Sequence, residues 1–298
     1  MRQDMTFQSK GVTCRGWLFT PDTAAPGPGF PTIVMAHGFS GVKEQALPDF
    51  AEQFAMAGFA VLLFDYRYFG SSDGEPRCQL FPLEMVEDYR NAISWASEQP
   101  NLDADRIGIW GTSYSGGLVA YVATYDKRVK AVVAQVPSLM NQETRRAADP
   151  ARWDTVGRFL LNDRIARYRT GTINYIKVVS PEAEPCVLPG LESYNAFMSL
   201  KETAPNWRNE ITVESLERIR EFDPVTHIGM MPPAALLVIA AEHDGLIPVD
   251  AVRKTYERAP CPKKLAVYAI GHFDIYREPW LSTATSEAIA WYGQHLGH

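Results

Sequence analysis

Short apolar runs without polar alternation recur along the chain, at residues 32–36, 59–64, 107–110, 129–136, 234–241 and 265–270. Brief apolar runs of this kind, bounded by turn residues, mark strands buried on both faces, as in a parallel sheet. Between the early runs lie stretches with apolar positions at helical spacing, 44–57 and 84–99, the first stopped by Gly58. Strand and helix in alternation predict a mostly parallel sheet with helices on both faces, an α/β fold. Ahead of it, residues 5–20 read as two extended segments turned at Lys10-Gly11, followed by a Pro/Gly-rich loop over 21–31.

The rhythm breaks after Pro137. Residues 138–232 are charged and irregular, with amphipathic helical stretches at 153–168 and 213–222. The alternation then resumes with the strands 234–241 and 265–270, a helix through 252–258 and a closing helix at 286–296. The pattern predicts an α/β core built from residues 1–137 and 233–298, interrupted by an insert at 138–232. A structureless loop of about 95 residues runs against the usual length of connections, so the insert is expected to be a mainly helical cap. No fixed-period repeat is visible, which excludes solenoids and propellers.

Composition narrows the function classes. The 29 Lys and Arg against 35 Asp and Glu leave a formal charge of −6, the wrong sign for a general nucleic-acid binder. No apolar run reaches the roughly 18 residues of a membrane span. The opening MRQDMTFQSK lacks the apolar stretch of a secretory signal, so a cytoplasmic location is expected. The four cysteines, Cys14, Cys78, Cys186 and Cys261, form no CxxC pair and are expected to be thiols of a reducing compartment.

The sharpest chemical signal is Gly111-Thr112-Ser113-Tyr114-Ser115-Gly116-Gly117, directly after the run 107–110 and opening a helix. A serine on a tight strand-to-helix turn is lifted clear of the sheet, and small neighbours let strand and helix approach. A phosphate-binding loop would need Gly-Lys-Ser/Thr, which is missing. Serine needs a base, and the base an orienting acid. Of the six histidines, His295 and His298 lie in the tail, His227 beside the insert and His37 in an early glycine loop. His272, directly after the run 265–270, stands where a loop leaves the C-terminal edge of a parallel sheet. Asp244 likewise follows 234–241, with Glu242 and Asp65 as competing acids. The order Ser113, Asp244, His272 is that of a nucleophile-elbow hydrolase. Two N–H donors must hold the developing oxyanion. The expected pair is the backbone N–H of Tyr114 and that of Phe39, in the loop His37-Gly38-Phe39-Ser40-Gly41. His37 itself is expected to be a structural hydrogen-bonding residue.

These motifs, with Asp65-Tyr66-Arg67-Tyr68-Phe69-Gly70-Ser71-Ser72-Asp73-Gly74, resemble those of α/β-hydrolase fold enzymes. Within them the chain is similar to the dienelactone-hydrolase-like and acetyl-xylan-esterase-like serine hydrolases, and to hydrolases of polyketide and aromatic catabolic pathways. The resemblance covers about 200 residues flanking the insert, and Ser115 departs from glycine at the fifth elbow position. It implies that residues 65–74 form a structural and entrance segment in which Arg67 holds loops together. It also implies cleavage of a carboxylic ester of a small or medium-sized substrate through an acyl-enzyme. Thioester hydrolysis, C–C cleavage of a β-diketone and acyl transfer are alternatives with the same triad. No cofactor and no metal are implied, and the partner is a small-molecule ester. Capped hydrolases often pair, so a homodimer is compatible with the resemblance, although no sequence feature shows one.

Other readings are weaker. A non-catalytic ligand-binding descendant would not need an intact Ser, Asp and His set. A dehalogenase would carry a carboxylate at position 113, and a prolyl-oligopeptidase-type peptidase is expected to carry a large N-terminal domain for which the chain leaves no room. His243-Asp244 with His272 lacks the spacing of a metal site. The aromatic residues of the insert, Trp153, Tyr168, Tyr175, Tyr194 and Trp207, read as its core rather than as a pocket. Arg145-Arg146 reads as a solvated face.

Overall fold

The computed structural model describes residues 1–182 and 184–297, so His298 lies outside the described residues. The N-terminal hairpin pairs β1 (Arg2–Ser9) with β2 (Val12–Phe19), Ser9 standing opposite Val12. Lys10 and Gly11 turn it with φ of 48° and 82°, the positive pair that a two-residue turn needs to match strand twist.

Six further strands extend the sheet: β3 (Phe30–Ala36), β4 (Ala60–Phe64), β5 (Leu102–Thr112), β6 (Val129–Gln135), β9 (Ala235–Ala241) and β10 (Lys263–Tyr268), with the short β7 (Tyr175–Ile176) and β8 (Ile211–Thr212) forming a separate antiparallel ribbon. The order is β1-β2-β4-β3-β5-β6-β9-β10; β2 meets its neighbours antiparallel, and from β4 to β10 all pairings are parallel. Every residue of β3, β4 and β9 is buried, the reason these strands read as unbroken apolar runs.

The chain leaves β3 toward β4 on one side and later returns to β5 on the other. Right-handed crossovers then send the helices to opposite faces. On one face α1 (Leu47–Met56) and α9 (Trp280–Leu296) bury Phe50, Phe54, Leu281 and Tyr292 against the sheet. On the other, α2 (Pro82–Ser97), α3 (Tyr114–Tyr125) and α8 (Val249–Arg258) contribute Met85, Tyr89, Leu118 and Val252 to a separate core. The reversal between β3 and β5 is a topological switch point, which opens a crevice at the C-terminal strand ends.

Between β6 and β9 the chain forms α4 (Gln142–Ala148), α5 (Pro150–Thr170), α6 (Leu191–Lys201) and α7 (Val213–Glu221). Phe197, Trp207, Ile211 and Phe222 from this stretch join the core that holds α2 and α3. Several elements exceed their apolar signal. β5 begins at Leu102, five residues before its apolar run, and α9 begins at Trp280, directly after Pro279. α1 begins only at Leu47, because Ala46 is left-handed (φ 58°).

Candidate active site

The turn at the end of β5 carries Ser113 with φ 55° and ψ −118°, a conformation side chains rarely adopt. Backbone bonds hold it: Ser113 N–H donates to Gln135 O at 2.8 Å, and Ser113 O accepts from Ser138 N at 2.8 Å and Gly116 N at 3.0 Å. Gly111 is required there, since a Cβ would stand 2.4 Å from Ser115 O. Ser115, the departure from glycine, is fully buried and fills a polar chain. Its Oγ lies 2.9 Å from Tyr66 Oη and 3.1 Å from Tyr89 Oη, while Tyr89 donates to Trp110 O at 2.7 Å. With one proton per hydroxyl, Tyr66 donates to Ser115, which donates to Tyr89.

His272 stands on the loop after β10. Its Nε2 lies 3.0 Å from Ser113 Oγ and its Nδ1 2.6 Å from Asp244 Oδ2. The other oxygen of Asp244 accepts from Leu246 N and Ile247 N, each at 2.8 Å, so the carboxylate is fixed by its own loop. A carboxylate at Nδ1 keeps the ring proton there and leaves Nε2 to accept from the serine hydroxyl. His243 N–H donates to Ile270 O at 3.0 Å, tying the two loops that carry Asp244 and His272. The competing acids are engaged elsewhere. Glu242 pairs with Arg253 on the surface at 2.8 Å, and buried Asp65 accepts from Lys43 Nζ at 2.8 Å and Ser71 N at 2.9 Å. Arg67 ties residues of three elements: its Nε and Nη2 reach Asp88 Oδ1 at 2.9 and 2.7 Å, and Nη2 also reaches Ser9 Oγ at 2.7 Å.

The loop after β3 presses on this turn. A Cβ on Gly38 would lie 3.1 Å from Thr112 O and 3.2 Å from Ser113 Cβ, so glycine permits the approach. Gly38 O accepts from His37 Nδ1 at 3.0 Å and from Gly41 N at 3.4 Å. In a trans peptide the carbonyl and the next N–H point oppositely, so this anchoring turns the Phe39 N–H to the other side. His37 is buried between Tyr66 and Phe69, ring centroids 4.8 and 5.6 Å away, and burial holds its pKa below the usual value. Tyr114 opens α3, where backbone N–H groups and the helix dipole favour negative charge.

Two hollows meet at Ser113. The smaller, of about 60 Å³, is bounded by Phe39, Phe197, Leu200, Phe273 and Tyr276. The larger, of about 390 Å³, is bounded by Tyr114, Arg145, Leu188, Leu216, Ile219 and Leu246. The stretch between β6 and β9 therefore walls both: Leu188 borders the two, Phe197 and Leu200 the smaller, and Val187, Pro189, Leu216 and Ile219 the larger. Trp207 pins this stretch to the loop after β3, its indole N–H donating to Ser40 O at 2.9 Å and its ring packing on Phe197 at 5.4 Å.

A family model of X-Pro dipeptidyl-peptidase (S15 family) matches residues 11–155, a span that holds Phe39, Ser113 and Tyr114 but not Asp244 or His272. Quorum-quenching protein AidA of Acinetobacter baumannii is 30% identical over 273 residues, covering 92% of this chain and 88% of its own. The crystal structure of α/β hydrolase GrgF from Penicillium sp. superposes with a TM-score of 0.85 at 25% identity, covering 100% of both chains. The chain belongs to the α/β-hydrolase family. Thiohydrolase aneE of Aspergillus aculeatus is a further relative, 29% identical over 274 residues, 87% of this chain and 81% of its own.

Several residues of this α/β-hydrolase's cleft escaped the sequence. Arg145, read as part of a solvated face, is half-buried in the wall of the larger hollow and donates to Ser138 Oγ at 2.7 Å. Its position depends on how the stretch after β6 folds back over the strand ends, which charge spacing along a helix does not encode. Leu188, Phe197 and Leu200 had no signal beyond being single apolar residues in an irregular segment. Trp207 is buried as core, in line with the reading of the insert's aromatics, whereas Tyr168 is 91% exposed and Tyr175 40% exposed.

Proposed function

We propose that this α/β-hydrolase cleaves a carboxylic ester of a small or medium-sized substrate through an acyl-enzyme. The observation that carries the reading is His272, whose two ring nitrogens lie within hydrogen-bond distance of Ser113 Oγ and Asp244 Oδ2. Ser113 attacks the acyl carbon as His272 Nε2 takes its proton, and Asp244 stabilises the imidazolium and its tautomer. The carbonyl oxygen, now an oxyanion, is held by the Phe39 and Tyr114 N–H groups; losing one such donor typically costs about 10²–10³ in rate. His272 returns its proton to the departing alkoxide, then takes one from a water that attacks the acyl carbon, and passes it to Ser113 Oγ as the acyl–oxygen bond breaks and the acid leaves. The stretch 138–232 is read as a cap over the acyl pocket, and the enzyme as cytoplasmic, with its four cysteines free. Within the family, the elbow and the His-Gly-Phe loop are what favour the dienelactone-hydrolase-like and acetyl-xylan-esterase-like branch.

A second reading is thioester hydrolysis or acyl transfer, favoured by relatives named as a thiohydrolase and as a polyketide transferase. Both would use the same residues, and products from matched oxygen esters and thioesters separate them. The test of the common chemistry is labelling with a fluorophosphonate and peptide mapping. Stoichiometric modification of Ser113, abolished by His272→Ala, is the expected result. Folded wild-type protein that takes up no label would overturn the mechanism.

A further inference from the structure

The larger hollow at Ser113 is apolar on most of its wall, with Leu188, Leu216, Ile219 and Leu246, yet it also carries Arg145 and Arg152 and, among the described residues, no carboxylate. Arg145 reaches one neutral partner, Ser138 Oγ at 2.7 Å, and neither guanidinium has an acidic partner within ion-pair distance among the described residues. Asp223, the carboxylate whose field reaches Arg145, accepts from Val225 N and Thr226 N at 3.0 and 3.1 Å. The Tyr114 hydroxyl, in the same wall and close enough to Arg145 to feel its charge, is buried with no hydrogen-bond partner among the described residues. A neighbouring hollow of about 300 Å³ shares Arg145 and Arg152 and adds Arg220, stacked 3.7 Å over Trp153. Two guanidinium groups thus stand in the wall of the cleft and a third in the adjoining hollow, where Asp149 is the one carboxylate among the described lining residues.

A half-buried guanidinium without a counter-charge is costly, and its fork-shaped donor set matches carboxylate or phosphate oxygens. We propose that Arg145 is a specificity-determining residue that binds an anionic oxygen group of the substrate, a carboxylate or a phosphate, while the reacting carbonyl sits at Ser113. This rests on the ester or thioester reading above. An acyl chain would lie along Leu188, Leu216 and Ile219. The anion belongs either to the far end of the acyl group or to the leaving group.

The test compares kcat/KM for monophenyl adipate with that for phenyl hexanoate, and for hexanoyl-coenzyme A with that for hexanoyl-N-acetylcysteamine, in wild type, Arg145→Met and Arg145→Lys. The proposal expects one charged substrate to be preferred by about tenfold or more, as for charge-assisted hydrogen bonds elsewhere. Arg145→Met should collapse that preference while sparing the neutral substrates, and Arg145→Lys should keep part of it. Preference for the adipate places the anion on the acyl group; preference for the coenzyme A thioester places it on the leaving group. Equal loss on charged and neutral substrates, or an unchanged ratio in Arg145→Met, would overturn it. Turnover of neither esters nor thioesters would strike the function reading itself. The subsite is then decided by calorimetry on Ser113→Ala protein: adipic acid monoanilide should bind about tenfold tighter than hexanoic anilide, or coenzyme A about tenfold tighter than N-acetylcysteamine, and equal affinity within both pairs would end the proposal.

Discussion

The rings of Phe39 and Tyr114 pack edge to face, centroids 5.8 Å apart and planes at 86°. They come from different elements, the loop after β3 and the first turn of α3, yet they are the two residues whose N–H groups are proposed to hold the oxyanion. The contact therefore joins the two halves of the donor pair through their side chains. Such pairs are worth about 0.5–1.5 kcal/mol beyond buried area. Phe39→Ala should accordingly lower kcat on a phenyl ester by a few-fold to about tenfold, with thermal melts showing the fold intact. An unchanged kcat would mean that the loop holds its N–H without the ring.

Asp244 divides its oxygens between His272 Nδ1 at 2.6 Å and the amides of Leu246 and Ile247. Asp244→Asn can keep the two amide contacts through its carbonyl oxygen, and then turns an NH₂ group toward Nδ1. That stabilises the tautomer with its proton on Nε2, the wrong one for deprotonating Ser113. A fall in kcat of about 10⁴ is expected, the size seen where a triad carboxylate becomes an amide. Glu242→Gln, which removes only the exposed pair with Arg253, should leave kcat unchanged. If the two variants behaved alike, the assignment of the orienting acid would be wrong.

Ser115 is where this elbow departs from glycine, and the chain Tyr66–Ser115–Tyr89–Trp110 O explains it. Ser115→Ala leaves the buried Tyr66 hydroxyl without its acceptor, a loss of about 1–3 kcal/mol. Urea denaturation should show a lower midpoint, with fluorophosphonate labelling of Ser113 retained, because the serine stands behind the turn rather than in the cleft. Ser115→Gly should lose slightly more, through added backbone entropy in α3. Stability equal to wild type in both variants would show that water replaces the hydroxyl.

The strands of the core were legible because β3, β4 and β9 are buried on both faces and so are written as unbroken apolar runs. Ser113, Asp244 and His272 stood out for a related reason: each directly follows such a run, where a parallel sheet opens its loops. The distances among them, and the hold of Leu246 and Ile247 on Asp244, were beyond reach of the sequence, since they depend on loop paths. Between β6 and β9 the signal fails physically. Among the described residues α4 buries no side chain and α5 buries only Leu160 and Asp163, so neither carries a pattern that declares its facing side. Arg145 sits on α4, and its turn into the cleft comes from packing over the strand ends.

His37 links the same loop to the stability of the fold. Its ring is 2% exposed, donates from Nδ1 to Gly38 O, and has its Nε2 buried without a partner among the described residues. Burial lowers its pKa from the usual 6.5, although Asp65 pulls the other way. A histidine whose folded pKa lies below its unfolded one binds fewer protons when folded, so unfolding takes up protons. Its neutral burial therefore costs no stability above about pH 6.5, and stability falls as the pH drops below that value toward the folded pKa. His295, whose pKa burial also lowers, adds a slope of the same sign. His37→Asn places an amide nitrogen near the Nδ1 position, keeps the donor to Gly38 O and removes the titration. Urea midpoints between pH 8 and pH 5 should therefore fall less steeply in His37→Asn than in wild type, with His295→Gln as the companion control. An identical acid slope in His37→Asn would show that His37 is not the buried ring whose protonation opposes folding.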